Sequence, residues 1–376
     1  MASWYSYFYA YVRRTRQERP VWGFVLHLLL NAILVGQLIV SAYVYYVYTF
    51  VVCGRMLTSA LQVAVYLCVF NMLAVMVLWS LVQTIRTPVS QVPEQYKGAG
   101  IQGGPFVDLE VDAQLKQVTP FEGGRFHPDK STAEQAAQQH AILAPWVQRK
   151  RLEFAETDFH GRYRYCYQCS LLKPDRAHHC SSCGFCVVRF DHHCPYINKC
   201  VSHGNYKFFM LYIIYGCAFI LWALVTSLEA WARYFVNREW RGELADFVQI
   251  TVCLVAFGVF GYFPFGELLL YHLKLIAVNE TTCEQAKVPI IRGDPKANYD
   301  FGRYANFRAV FGWGLWAFPV DTRVTDGLHH AVHYSVQADE NEKLTLNAVR
   351  SVDSRSTVTL ATTTPKSTNV RATRTR

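Results

Sequence analysis

Charge is scarce in this chain. Only 17% of its 376 residues are Asp, Glu, Lys or Arg, against about 25% in soluble domains. Four stretches carry none at all: Val21–Val52, Leu61–Val82, Phe208–Leu228 and Phe247–Gly266. That absence excludes an ordinary water-facing surface over those segments. Each is long enough to cross about 30 Å of hydrocarbon as a helix, which takes about 20 residues. One such run can be a buried core helix, but four in one chain predict a polytopic α-helical membrane protein with four transmembrane helices. No cleavable signal peptide opens the sequence, and no ankyrin-type repeat is present to recruit partners. Acidic residues are the minority charge, 28 against 37 Lys plus Arg. The resulting net charge of +9 suits an anionic lipid leaflet and gives no case for nucleic acid.

The short flanks set the expected orientation. Arg13, Arg14, Arg16 and Arg19 precede the first run against one Glu18, whereas the first interhelical turn has only Arg55. The positive-inside bias puts the N-terminus in the cytosol, and four crossings bring the C-terminus and the long central loop there too. Trp4, Tyr5, Tyr7, Phe8, Tyr9 and Tyr11 read as an interfacial anchor on the cytosolic leaflet. The expected organisation is a cytosolic N-terminus (1–20), helices one and two (21–85), a cytosolic linker (86–158) and a Cys-rich module (159–207). Helices three and four (208–270), a cytosolic segment (271–319) and a disordered tail (320–376) follow. Within the linker, Pro and Gly predict a mobile stretch from Thr87 to about Lys130. Ser131 with Glu134 predicts a capped helix ending near Pro145. Asn279-Glu280-Thr281 matches a glycosylation acceptor, but the expected topology keeps it cytosolic and bare.

Seven of the twelve cysteines lie between Cys166 and Cys200, and six of them follow one pattern used twice, fourteen residues apart. Cys166, Cys169 and Cys186 accompany the pair His178-His179. Cys180, Cys183 and Cys200 accompany His192-His193. Three thiolates and one imidazole form a closed tetrahedral zinc shell with no position for substrate. Paired Cys-x2-Cys spacing with His favours zinc over disulfides, and a reducing cytosol keeps the thiols available. Spacing alone does not choose within either His pair. Cys194 is left without a structural task. Beside His and Asp191 it has the composition of an activated thiol nucleophile.

Here the sequence resembles a known family. Asp191-His192-His193-Cys194-Pro195 inside the double Cys3His frame is similar to the DHHC protein S-acyltransferases. The likeness extends through Lys173-Pro174-Asp175-Arg176-Ala177-His178-His179-Cys180 and Asn205-Tyr206-Lys207-Phe208-Phe209. It continues in Thr281-Thr282-Cys283-Glu284 and in the aromatic motif around Asn306, and so covers roughly Val21 to Pro319. Tyr196 stands where the family usually has Trp, and Ser202 where Gly is common. The resemblance implies a four-helix membrane protein with a cytosolic two-zinc DHHC module between helices two and three.

It also implies zinc ligands Cys166, Cys169, His179 and Cys186 in one set, and Cys180, Cys183, His193 and Cys200 in the other. His192 is then free to act as base for the Cys194 nucleophile, with Asp191 orienting it and Thr282 bonding Asp191. The implied reaction moves a long-chain acyl group, palmitoyl above all, from acyl-CoA through a thioester on Cys194 to a cysteine of a protein substrate. The two zinc ions hold a short, loop-rich segment together rather than touch the acyl group. Lys173, Arg176, Arg189 and Lys199 are the candidates for CoA phosphates. Phe219, about 16 Å deeper along the third helix than Phe208, is the candidate floor of the acyl cavity. The membrane is expected to be an endomembrane (Golgi, ER or vacuole). The competing reading is a catalytically silent zinc-containing scaffold or adaptor, which leaves Asp191, His192 and Cys194 idle.

Overall fold

The computed structural model describes residues 11–12, 18–97, 105–237, 243–292, 294 and 296–335. Contacts divide the chain into 1–333, treated below, and 334–376, of which only 334–335 are described. The N-terminal aromatic run, apart from Tyr11, and the four flanking arginines other than Arg19 fall outside these residues, as does the tail beyond 335.

Among the described residues, three helical segments are long and apolar enough to cross a membrane: Ala32–Met56, Ala60–Arg86 and Tyr206–Ala232. The first uncharged run does not form one helix from Val21. It breaks at Asn31 into α1 (Pro20–Leu30) and α2 (Ala32–Tyr46), and α2 passes into a π-helical segment, Val47–Met56. Asn31 uses its side chain elsewhere, accepting from Asn198 Nδ2 at 3.2 Å in the Cys-rich module. Next comes α3 (Ala60–Arg86), started by Ser59 as N-cap.

The linker's glycine clusters at 98–104 lie outside the described residues, but the stretch after them is helical where a mobile segment is expected. It contains α4 (Pro105–Val118), a hairpin of β1 (Phe121–Glu122) and β2 (Arg125–Phe126), and α5 (Ala133–Lys150). The helix cap is Thr132 with Gln135 rather than Ser131 with Glu134. The helix also runs through Pro145 to Lys150. A helix-interior proline costs about 3 kcal/mol. Burial of Leu143, Trp146 and Val147, each 4% exposed or less, offsets it. These side chains meet Val111 and Leu115 of α4 together with Leu171 and Leu172 of the module, so the zinc-binding segment shares an apolar core with the linker helices.

The module itself is a string of short hairpins. β3 (Glu156–Thr157) is followed by β4 (Tyr165–Cys166) paired with β5 (Leu171–Leu172). Then come β6 (His178–Cys180) paired with β7 (Phe185–Val187), and β8 (Phe190–Cys194) paired with β9 (Lys199–Ser202). From β9 the chain enters α6 (Tyr206–Asn237) within a few residues, which fixes β8 against one end of the helix bundle. The most extensive helix contact is α3 on α6. The fourth uncharged run is divided among α7 (Leu244–Val255), a π-helical segment (Ala256–Tyr262) and α8 (Phe263–Ala277).

Beyond α8, the short α9 (Thr282–Ala286) and β10 (Ile290–Ile291, paired with β3) return the chain to the module. α10 (Arg303–Phe311) is held by Asn306, which donates to the Ala277 carbonyl at 2.8 Å and accepts from the Phe301 N–H at 3.1 Å. The ordered chain continues past the expected boundary at 319. Lys207 Nζ donates to the Val320 carbonyl at 2.9 Å, and Asn298 pairs with His333.

Candidate active site and zinc centres

Hairpin register assembles each Cys3His set. A Cys-x2-Cys turn supplies two thiols. The following hairpin sets His179 opposite Cys186 in β6–β7, and His193 opposite Cys200 in β8–β9. His179 Nδ1 lies 3.5, 3.2 and 3.9 Å from the sulfurs of Cys166, Cys169 and Cys186. His193 Nδ1 lies 3.6, 3.4 and 3.5 Å from Cys180, Cys183 and Cys200. Zn–S and Zn–N bonds in a tetrahedron imply N···S edges of about 3.6 Å, so both sets fit the ion. Electrostatics points the same way. Cys166 is driven down by hydrogen bonds from Cys169 and Cys186, and Cys186 is pushed up by facing Cys166 and Cys169. Three thiols this close do not all ionise without a cation between them.

The strand period also decides which His of β8 faces the cysteines. Alternate residues of β8 point to opposite faces, so His193 turns to the zinc side with Cys200 while His192 and Cys194 turn away together. Asp191 would ordinarily point opposite to His192. Here the pairing shifts between Phe190 and His192, because Phe190 opposes Ser202 and His192 opposes Val201. Asp191 is the extra residue of a β-bulge, a feature that re-aims a side chain. Its Oδ2 therefore accepts from His192 Nδ1 at 2.6 Å.

Asp191 is held from behind. The Thr282 N–H donates to Oδ1 at 3.0 Å and the Thr282 hydroxyl to Oδ2 at 2.9 Å, both at the start of α9. Burial opposes ionisation of Asp191, but His192 and the Thr282 N–H hold its carboxyl below the usual range. Burial likewise opposes the His192 cation, yet hydrogen bonds to Asp191 and Cys194 raise it to about 9. Cys194 is 5% exposed and packs among Leu81, Ile197, Met210 and Ile213, the apolar mouth of the helix bundle.

One nearby residue escaped the sequence reading. His272 on α8 is 1% exposed, its Nδ1 lies 3.0 Å from the Tyr206 hydroxyl, and its ring centroid is 5.9 Å from that of His192. A single His within an apolar run gives no spacing signal. Only the fold brings it to Asp191.

The four candidate phosphate cations separate. Arg176 is not at a rim. It is 1% exposed, forked onto Glu284 with both bonds 2.7 Å, and it also donates to the Asn279 carbonyl at 2.7 Å. Arg189 is buried and donates to Asn279 Oδ1 at 2.9 Å. Lys199 donates to the carbonyls of Ile85 and Thr87. Arg176 has its guanidinium engaged internally and ties the module to its neighbours, whereas Arg189 keeps a buried Nε with no hydrogen-bond partner among the described residues. The Asn279 amide is taken up too, donating to the Tyr299 carbonyl at 2.8 Å.

Lys173 lines a cavity of about 170 Å³ also bordered by His178, Arg162, Arg164 and Lys287. Arg162 Nη1 is buried there with no hydrogen-bond partner among the described residues. Phe219 stacks on Phe70 at 4.6 Å, and Phe70 stacks on Tyr48 at 4.0 Å, forming an aromatic layer across the bundle. Tyr196 is exposed, and Ser202 is buried with its N–H donating to Asn205 Oδ1 at 2.9 Å.

Comparison with known proteins gives the same answer as the geometry. The DHHC palmitoyltransferase family model matches residues 160–288. Palmitoyltransferase spe-10 of Caenorhabditis elegans is 46% identical over 332 residues, 88% of this chain and 92% of the relative. Palmitoyltransferase ZDHHC15A of Danio rerio is 31% identical over 319 residues, covering 82% and 86%. Palmitoyltransferase ZDHHC20 of Homo sapiens is 33% identical over 272 residues, covering 71% and 66%. A relative so similar along nearly its whole length, together with the family model over the Cys-rich module, places this chain in the DHHC palmitoyltransferase family, with the activity of a protein-cysteine S-palmitoyltransferase.

Proposed function

We propose that Cys194 is the residue that carries the acyl group, with His192 as its base and Asp191 as the residue orienting that base. The observation behind this is the bulge at Asp191, which joins Asp191 to His192 while His192 and Cys194 share a strand face. In the first step the Cys194 sulfur attacks the thioester carbonyl of a long-chain acyl-CoA. The new S–C bond forms as the bond to the CoA sulfur breaks. His192 takes the Cys194 proton and returns it to the departing CoA thiolate. In the second step the thiol of a substrate protein loses its proton to His192 and attacks the acyl-enzyme carbonyl; the bond to Cys194 breaks, and His192 returns the proton to the departing Cys194 thiolate. Thioester exchange between thiols is nearly balanced, so positioning carries the catalysis. Asp191 keeps the imidazole in one orientation and stabilises its cation.

Eight residues would hold two zinc ions: Cys166, Cys169, His179 and Cys186, then Cys180, Cys183, His193 and Cys200. Zinc would supply folding energy to the hairpins and no chemistry to the acyl group. Lys173, on a cavity also lined by Arg162, Arg164 and Lys287, is the group suited to CoA phosphates. The acyl chain would run from Cys194 between the helices to the aromatic layer at Phe219, whose bulk sets its length. In this reading the run 244–277 is the fourth crossing. Both termini and the zinc module then lie in the cytosol of an endomembrane, where membrane-associated proteins present accessible cysteines. The excess of arginine before the first span supports that orientation.

The test is acyl-enzyme formation. Full-length protein incubated with labelled palmitoyl-CoA should take up hydroxylamine-sensitive label, and Cys194→Ser and His192→Ala should not. Absence of label from the fully zinc-loaded natural chain would contradict a self-sufficient acyl-enzyme.

A further inference from the structure

Among the described residues, two of the three groups of ligand-type side chains are the Cys3His sets. The third is Asp191, His192 and His272, each offering one ligand atom, with those atoms within 4.8 Å of one another. Two imidazoles and a carboxylate are the donor set of open, three-ligand sites for zinc and similar divalent transition ions. A bound ion needs its ligands at about 2.0–2.2 Å, so small side-chain shifts suffice to close the set. Asp191 and His272 are buried, and the His192 side chain, 25% exposed, leaves one side open to an arriving ion. The Tyr206 hydroxyl at 3.0 Å fixes the His272 ring, and Thr282 fixes Asp191. Such supporting bonds are what orient metal ligands.

We propose that Asp191, His192 and His272 form a third, reversible divalent-metal site, and that occupancy by zinc or a similar ion switches acyl transfer off. The ion would take the His192 nitrogen lone pair and the Asp191 oxygen that now meet each other, leaving Cys194 with no free base. Arg189, 5.9 Å from the Tyr206 ring, adds positive charge nearby. The donor set also lacks thiolate, so this site is weaker than the two Cys3His sites and empties first. The inhibitory consequence rests on the acyl-transfer reading above; the metal site itself does not.

The experiment uses full-length protein carrying two zinc ions, titrated with Co²⁺ or with buffered Zn²⁺. Metal content and visible absorption are followed beside acyl-enzyme formation. The expected result is a third ion per chain, seen with Co²⁺ as ligand-field bands without thiolate charge transfer. Zn²⁺ should suppress labelling, and a mild chelator should restore it while both structural zincs stay. Cys194→Ser should still bind the third ion. His272→Gln and His272→Phe, each checked for two retained zincs, should raise the half-inhibiting free Zn²⁺ about tenfold or more. Uptake of the third ion measures the site even if no turnover is seen. Absence of a third ion would overturn the proposal. So would its loss in Cys194→Ser with retention in both His272 variants, or inhibition accompanied by loss of structural zinc.

Discussion

The hairpins β6–β7 and β8–β9 repeat one His–Cys register shifted by fourteen residues, and the function proposed above gives them different work. His179 opposes Cys186 in one and His193 opposes Cys200 in the other; His178 and His192 oppose Val187 and Val201. Cys180 and Cys194 occupy the same place, directly after the metal-binding His. Cys180 finds Cys183 three residues on and joins it in the second zinc set. Cys194 finds Ile197 at that distance, so its sulfur has no metal to share.

Two further differences complete the contrast. Ala177 stands where the second hairpin has Asp191. His178, without a carboxylate, is pushed well below its usual range by burial and by Arg164 and Lys173, whereas His192 is raised to about 9. In the function proposed above, a missing ligand partner, an added carboxylate and the bulge that aims it separate the catalytic hairpin from the metal-binding one.

That contrast is open to attack, starting with the largest effect. Cys200→Ser should cost the second hairpin its zinc and collapse the module, since structural zinc supplies about 10–16 kcal/mol of folding free energy in small fingers. Zinc content and thermal unfolding measure this, and a folded two-zinc Cys200→Ser protein would break the assignment of that set. Asp191→Asn should leave both zincs in place and lower the rate of acyl-enzyme formation by about 10²–10⁴-fold, the range for losing the residue that orients a catalytic His. Glu284→Gln leaves the Arg176 guanidinium buried without its anion, for about 3–5 kcal/mol. It should lower the unfolding temperature while metal content stays unchanged. Phe219→Ala is the mildest. It should shift preference among acyl-CoA chain lengths toward longer chains with little loss of palmitoyl transfer, as competition between labelled donors would show.

Much of this was legible in the sequence, for identifiable reasons. Metal ligands are bound to a fixed geometry, so their spacing survives as a pattern, and the uncharged runs follow from the membrane's demand for apolar surface. Neither the bulge at Asp191 nor the choice of His193 over His192 has a linear signature, because both depend on strand register. Arg176 misled for a related reason. Its partner Glu284 lies 108 residues along the chain, so a buried ion pair reads locally as a free cation. The linker helix α4 was hidden in the same way. Its Gly-rich approach suggests a mobile segment, but Val111 and Leu115 are apolar in a pattern that has meaning only once Leu143 and Trp146 are beside them. Pro145 marks a helix end by propensity, and packing overrode it.

The most direct test sets the two equivalent cysteines against each other. Zinc per chain and hydroxylamine-sensitive acyl label would be measured in Cys180→Ser and Cys194→Ser beside the natural protein. The account predicts two zincs and no label for Cys194→Ser, and lost zinc with a disrupted module for Cys180→Ser. Loss of zinc from Cys194→Ser, or label persisting in it, would contradict the division of labour between the two hairpins.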